Sequence, residues 1–231
     1  MIDQNQSIVA VVPAAGVGKR MGADRPKQYL LLNQTTLIEH TLHVLLSHPQ
    51  IARVVVSLGA EDPYFSTLAI ANHPRITQVV GGAERVDSVL AGLKAVNEPW
   101  VMVHDAARPC VRHSDIDALI ATAMSSDNGA ILAAPVKDTM KRGTMDGTID
   151  KTVCRENLWH ALTPQMFRTP QLIEALTQAI AAGVNVTDEA SAMEHCGMSP
   201  RIVSARSDNI KVTSPEDLAL ATFFLQQQER V

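Results

Sequence analysis

The sequence predicts an α/β protein of three layers on a mostly parallel sheet, and three observations carry that expectation. Apolar runs of strand length recur along the chain, amphipathic stretches with helix-opening signals fall between them, and the runs are continuous instead of alternating. Continuous apolar strands belong to sheets covered by helices on both faces.

Taken in order, Ile8 to Val12 is apolar and ends at Pro13 and a glycine-bearing loop, which predicts a buried strand. Thr36-Leu37-Ile38-Glu39 is a capping box, opening a helix through about Leu46. Arg53 to Leu58 is Val-rich and predicts a strand; Asp62 to Ala71 reads as a helix. Ile76 to Val80 is the next strand. Glu84 to Ala95 follows as a helix with its apolar positions at Val86, Val89, Leu90 and Leu93. Trp100 to Val103 and Ala130 to Val136 are strands, separated by a helix from Ser114 to Ala123 with Ser114 as its N-cap. Thr169-Pro170 starts a helix running to Gly183, and Ser214-Pro215 starts the last one.

The alternation breaks between about Lys137 and Arg155. This polar stretch carries Asp146-Gly147, a hairpin-turn dipeptide. Two short strands around it would project as an arm, since little in them is apolar enough to join a core. Such an arm either rests on a partner subunit or is a loose surface loop. The economical division is one domain over 1–231, with the arm at about 137–158.

Composition narrows the function classes. The 231 residues are 46% hydrophobic and 19% charged, within the globular range. A formal net charge of −4 argues against broad nucleic-acid binding. No apolar run approaches the ~18 residues of a membrane span, and the polar N-terminus does not resemble a secretory signal. Cys110, Cys154 and Cys196 form no CxxC pair, which fits a reduced cytoplasmic protein without a zinc or disulfide framework. Aromatics are only 3%, so the core is left to Ala, Val, Ile, Leu and Met.

The first strand runs into PAAGVGKRM (13–21), small residues that let backbone N–H groups approach a phosphate. A P-loop needs glycine and Ser/Thr where Pro13 and Arg20 stand. The dinucleotide fingerprint fails as well, because Met21 replaces its third small residue and the acidic residue at a later strand end, Glu61, comes too late. A nucleotidyltransferase loop remains, with Arg20 and Lys27 as cations; a plain strand–turn–helix connection is the bland alternative. Asp105 follows an apolar strand, where open α/β sheets bind ligands, and beside a triphosphate it would suit Mg²⁺. Gly81-Gly82 also follows a strand; there a base could lie on backbone within reach of Ser88.

PAAGVGKRM, PKQY, GGAERVDSV, VHDAARP, LWHALTPQ, TDEASA and DNIKVTSPEDL occur in this order. Together they resemble the 2-C-methyl-D-erythritol 4-phosphate cytidylyltransferase family, over Val11 to Ala221. The resemblance implies transfer of the cytidylyl group of CTP to a methylerythritol phosphate with Mg²⁺ present. It implies transition-state roles for Arg20 and Lys27, and nucleotide contacts from Ala14, Ala15, Gly16, Gly18, Gly82, Ser88, Asp105 and Ala106, with Asp105 beside the metal. Arg155 and Lys211 would position the acceptor phosphate, with Thr139, Thr163 and Thr187 nearby. It also implies a homodimer in which the arm is exchanged, so that Thr139 and Arg155 serve the neighbour's site. Ala83 departs from the Asp frequent after the glycine pair in close relatives.

No activated Ser or Cys is evident and none is required, because a phosphate monoester is largely dianionic at neutral pH and is itself the nucleophile. Catalysis then consists of neutralising and positioning anions. Alternatives are a cytidylyltransferase for another polyol phosphate such as ribitol 5-phosphate, and a regulatory module that binds CTP without turnover.

Overall fold

The computed structural model describes residues 7–16 and 25–230. Strand β1 (Ile8–Pro13) lies inside a seven-stranded sheet. Two dipeptide strands, β2 (Leu31–Leu32) and β3 (Thr35–Thr36), form a small ribbon that leads into helix α1 (Leu37–Ser47). The Thr36 and Glu39 capping box is formed as the sequence predicts: Glu39 Oε2 accepts from the Thr36 backbone N–H at 3.0 Å, and Thr36 Oγ1 accepts from Glu39 N–H at 3.4 Å. Then come β4 (Ile51–Leu58), β5 (Ile76–Val80), α2 (Arg85–Leu93), β6 (Trp100–Val103), α3 (His113–Met124) and β7 (Ala130–Pro135). The hairpin β8 (Met140–Gly143) and β9 (Ile149–Val153) follows, then β10 (Trp159–Arg168), α4 (Thr169–Ala181), α5 (Glu189–His195), β11 (Arg201–Ser204) and α6 (Pro215–Gln227).

The sheet order is β11-β7-β10-β6-β1-β4-β5, with every pairing parallel except those of β10, which runs against both β6 and β7. The chain steps outward from β1 to β4 and β5, then returns to lay β6 on the other side of β1. That reversal leaves a crevice at the carboxyl ends of the strands, where open α/β sheets take ligands. Alternation along β1 divides the interior: Ile8, Ala10 and Val12 pack into one layer with Leu42, Leu45, Ile116 and Leu119, while Val9 and Val11 pack into the other with Val89, Leu93, Leu172 and Leu176. The expected three layers are therefore present.

Some details differ from the sequence reading. Asp62 to Ala71 is not an α-helix but two short 3₁₀ turns, Phe65–Thr67 and Ala69–Asn72, with Leu68 extended between them. The Asp62 carboxylate accepts from the N–H groups of Tyr64 and Phe65, at 2.9 and 3.0 Å, and folds the segment locally instead. Helix α3 starts one residue earlier than expected, with Arg112 and not Ser114 at its N-cap position and no side-chain cap. Strands β10 and β11 were not foreseen, and neither was α5. The hairpin is formed, with Gly147 at φ +85° in its turn. Its strands pair only with each other, and their side chains are almost all exposed.

Candidate active site

Three strand ends supply the walls of one cleft. After β1, Ala14 N–H donates to Ser57 O of β4 at 2.8 Å, which pins the start of the glycine loop to the sheet. Buried Gln28 reaches back and donates its Nε2 hydrogens to Ala14 O and Gly16 O, at 2.8 and 3.0 Å, so the carbonyls are drawn inward. After β5, Gly81 and Gly82 approach their neighbours too closely for a side chain. A Cβ at Gly81 would meet Ala15 Cβ and Ser88 Oγ at 2.8 Å, and one at Gly82 would meet Asp87 Cβ at 2.2 Å. Ser88 is buried at the first turn of α2, and its Oγ accepts from Gly82 N–H at 3.1 Å. After β6, Asp105 and Ala106 form the floor. Ala14, Gly16, Gln28, Gly82, Ser88, Asp105 and Ala106, with Lys27 and Lys211, line a cleft of about 320 Å³, and a second recess that shares Arg85, Asp105 and Lys211 with it is lined by Arg108, Thr163, Gln165 and Thr187.

Asp105 is the electrostatic centre. Arg85 Nε donates to its Oδ1 at 3.1 Å; Arg108 Nε and Lys211 Nζ meet its Oδ2 at 3.3 and 2.9 Å. Burial alone would raise this carboxyl's pKa, but Arg85, Lys211 and Arg108 together outweigh burial and hold it far below the ordinary carboxylate range. Its backbone is fixed as firmly. Asp105 N–H donates to Thr163 Oγ1 at 3.0 Å, and Thr163 in turn meets His104 Nδ1 at 3.1 Å. His104 Nε2 lies 3.0 Å from Arg108 O, which can only accept, so Nε2 carries the proton and Nδ1 accepts from the Thr163 hydroxyl. Burial pushes the His104 pKa down to about 4, which keeps the ring neutral.

The segment after β11 closes the floor. Val212 N–H donates to Ala107 O at 2.8 Å, Arg108 Nη1 donates to Asn209 O at 2.8 Å, and Asn209 Nδ2 donates to Thr163 O at 2.8 Å. Lys27 Nζ donates to Val212 O at 2.9 Å, so the two lysines approach the cleft from adjacent positions.

Of the residues expected from sequence, Ala14, Ala15, Gly16, Lys27, Gly82, Ser88, Asp105, Ala106 and Lys211 line this cleft, and Thr163 and Thr187 line the adjoining recess. Arg20 and Gly18 lie outside the described residues. Thr139 and Arg155 are not brought in: both are exposed at the base of the hairpin, line neither the cleft nor the recess, and Arg155 Nη1 donates to Lys137 O. The hydroxyl of Thr163 is committed to Asp105 N–H and His104, which makes it a support for Asp105 in this arrangement. Sequence reasoning assigned nothing to Gln28, Arg85, His104, Arg108, Glu189 or Asn209, although all six fall inside the segments that carried the resemblance.

The expected Mg²⁺ ligand is poorly suited to holding a metal alone. Both Asp105 oxygens face cations, and the carboxylate of Glu189 is taken by Arg85. Among the described residues, no group of three or more His, Cys, Asp and Glu is placed to hold a metal ion. Mg²⁺ favours one or two carboxylates plus phosphate oxygens. Asp105 would then be one ligand among phosphate oxygens, not a full donor set.

A backbone recess at one end and lysines at the other suit a ligand with a flat neutral head and a heavily charged tail, which is the make-up of a nucleoside triphosphate. On a sheet of this order, with the crevice at its reversal point, that arrangement is that of a nucleotidyltransferase. The chain belongs to the 2-C-methyl-D-erythritol 4-phosphate cytidylyltransferase family, whose model matches residues 8–227. A protein of that name from Vibrio atlanticus is 59% identical, over 99% of this chain and 100% of its own. One from Shewanella amazonensis is also 59% identical, over 97% and 95%. The crystal structure of the Francisella tularensis 2-C-methyl-D-erythritol 4-phosphate cytidylyltransferase superposes with a TM-score of 0.82 at 36% identity, covering 95% of this chain and 100% of that one. The Thermus thermophilus enzyme of that name superposes with a TM-score of 0.79 at 30% identity, covering 95% and 99%.

Proposed function

We propose that this cleft performs the reaction of its family. It transfers the cytidylyl group of CTP to 2-C-methyl-D-erythritol 4-phosphate, giving 4-diphosphocytidyl-2-C-methyl-D-erythritol and pyrophosphate in the non-mevalonate route to isoprenoid precursors. The observation that carries the reading is the juxtaposition of the recess at Gly82 and the Ala14–Gly16 backbone with Lys27, Lys211 and Asp105 in one cleft. An oxygen of the acceptor phosphate attacks the α-phosphorus while the bond to the β-phosphate oxygen breaks and its electron pair leaves with pyrophosphate. No base is needed, because the nucleophile arrives as an anion.

The obstacle is like charge against like charge, so the cations do the work. Lys27, with Arg20, opposes charge gathering on the α-phosphoryl oxygens and the leaving group. Lys211 faces the acceptor side, where Thr187 also lines the adjoining recess. Arg155 supplies a bidentate grip on the acceptor phosphate from a second copy of the chain, together with Thr139, in a homodimer that exchanges the hairpin arms. Asp105 would hold Mg²⁺ together with the triphosphate oxygens, and the ion would supply further charge neutralisation there. In this reading the protein is one domain with an arm at about 137–158, working in the cytoplasm; among the described residues no helix is long and apolar enough to cross a membrane.

Pyrophosphate release tests the reading. Purified protein with Mg²⁺ is offered each of the four common nucleoside triphosphates, with methylerythritol 4-phosphate or ribitol 5-phosphate as acceptor. Release with CTP and methylerythritol phosphate alone is expected. Release with ribitol phosphate would move the acceptor, and silence with CTP still bound would favour a regulatory module. The names of the relatives favour the first acceptor. Excess chelator is expected to abolish release, and added Mg²⁺ to restore it.

A further inference from the structure

Arg85 is a cation of the cleft to which no part of the transfer has been given. It opens α2 one turn before Ser88, on the wall proposed for the nucleotide, yet its guanidinium crosses to the opposite wall. Nη1 and Nη2 donate to the two carboxylate oxygens of Glu189 at 2.7 and 3.2 Å, while Nε donates to Asp105 Oδ1 at 3.1 Å. Glu189 is the first residue of α5, two positions after Thr187, and only 1% exposed. Arg85 accordingly lines both the cleft and the adjoining recess.

A fork on Glu189 would be enough to satisfy a buried carboxylate. The third contact goes further, because it divides Asp105 into two sides: Oδ1 is taken by Arg85, which leaves Oδ2 to Lys211 and Arg108. A planar guanidinium held at three nitrogens sets Asp105 at a fixed distance from α5, and Lys211 inherits its seat from Asp105. The α5 end is braced independently: Gln165 Nε2 donates to Asp188 Oδ2 at 2.8 Å, and its Oε1 accepts from Ala190 N–H at 2.9 Å.

We propose that Arg85 and Glu189 form a positioning pair that ties the nucleotide wall to the acceptor wall and, through Oδ1 of Asp105, sets where the Lys211 ammonium stands in the cleft. The inference rests on the transfer reading above. Neither residue touches the reacting atoms; both act through Asp105 and Lys211. Lysine cannot span Glu189 and Asp105 at once, and glutamine keeps the shape of Glu189 without its charge, so R85K and E189Q each break the link conservatively.

The test combines steady-state kinetics, calorimetric titration with CTP and thermal unfolding for R85K, E189Q and the double variant. Each single change is expected to lower kcat about tenfold while the CTP dissociation constant stays within about threefold. The double variant is expected to fall within about threefold of the weaker single one, because both changes remove the same link. A lowered melting temperature with kcat within about twofold of the parent would make the pair merely structural. Losses that multiply in the double variant, or a loss confined to CTP binding, would also overturn the proposal. A second readout needs no turnover: nuclear magnetic resonance of labelled lysine follows the Lys211 Nζ signal, assigned by its disappearance in K211A. That signal is expected to shift in R85K and E189Q, and an unmoved signal would overturn the proposal. A parent protein that released no pyrophosphate would count against the transfer reading instead.

Discussion

At Lys27 the side chain is already aimed, since its ammonium donates to the carbonyl of Val212, beside Lys211. A charge preorganised in this way stabilises a transition state without the cost of reorienting solvent, and removing such a donor typically costs ~3–4 kcal/mol, or ~10²–10³ in rate. Lys27→Ala is therefore expected to lower kcat at saturating substrates by at least ~10²-fold with the fold intact; a fall of only twofold would refute the role. A second consequence concerns His104. Its folded-state pKa of about 4 lies below the ordinary value of 6.5, so the unfolded chain takes up the proton first as pH falls. The stability this provides is complete above pH 6.5 and is lost progressively down to about pH 4, a difference worth roughly 3 kcal/mol. His40 and His48, whose pKa values burial also lowers, add to the same slope, while Asp105 stays charged throughout that window. Urea midpoints measured between pH 7.5 and 4.5 are expected to fall with pH, and less steeply in His104→Asn. A flat profile from pH 7 to 5 would contradict this account.

At the scale of elements, α2 matters most, because it carries both Ser88 and Arg85 and must lie close to the sheet. Gly92 allows the approach: a Cβ there would meet Val11 Cγ1 at 2.6 Å and Ser57 Oγ at 2.9 Å. Glycine in a helix interior ordinarily costs about 1 kcal/mol relative to alanine. Here Gly92→Ala is expected to destabilise the protein by about 1–3 kcal/mol in denaturant titrations, since overpacking outweighs propensity. A stabilised variant would mean that the helix has room to spare. The same close packing explains what the sequence could convey. Strands that are apolar on both faces, such as β1 and β6, and helices announced by Thr36 or Thr169-Pro170, were readable because their signals are local. Strand β10 was not, because His160, Thr163, Pro164 and Gln165 give it the look of a loop. Of these, Thr163 and Gln165 find partners in His104, Asn209, Asp188 and Ala190, which only the fold brings near. Strand β11 is mostly exposed at the sheet edge and carries little apolar pattern. Likewise the loop cation Lys27 and the strand-end Asp105 could be singled out by position, but no spacing rule joins Arg85 to Glu189, 104 residues away.

For the whole molecule, the proposed role of Arg155 turns on how it could reach a cleft it does not line. The β8–β9 hairpin is held together by its own ladder and by the Asp146 turn, where Thr148 Oγ1 donates to Asp146 Oδ1 at 2.9 Å. It leaves Met145 and Ile149 exposed. A lone two-stranded hairpin is marginal in water, so an arm of this kind gains most by resting on a second copy of the chain. Two-fold exchange would then deliver each Arg155 to the other subunit's cleft. Gel filtration with light scattering is expected to report twice the 25.0 kDa of one chain. The stricter measurement is complementation. Arg155→Ala chains keep a complete cleft and Lys27→Ala chains keep a complete arm, so each homodimer is impaired, whereas a mixed dimer contains one intact site. Random pairing of equal amounts makes half the dimers mixed, each with one working site of two, so co-refolded chains should recover roughly a quarter of parent activity. If Arg155 acted within its own chain, both sites of the mixed dimer would carry a lesion. Mixing would then give only the mean of the two impaired enzymes, and the arm would have to be explained without the second subunit.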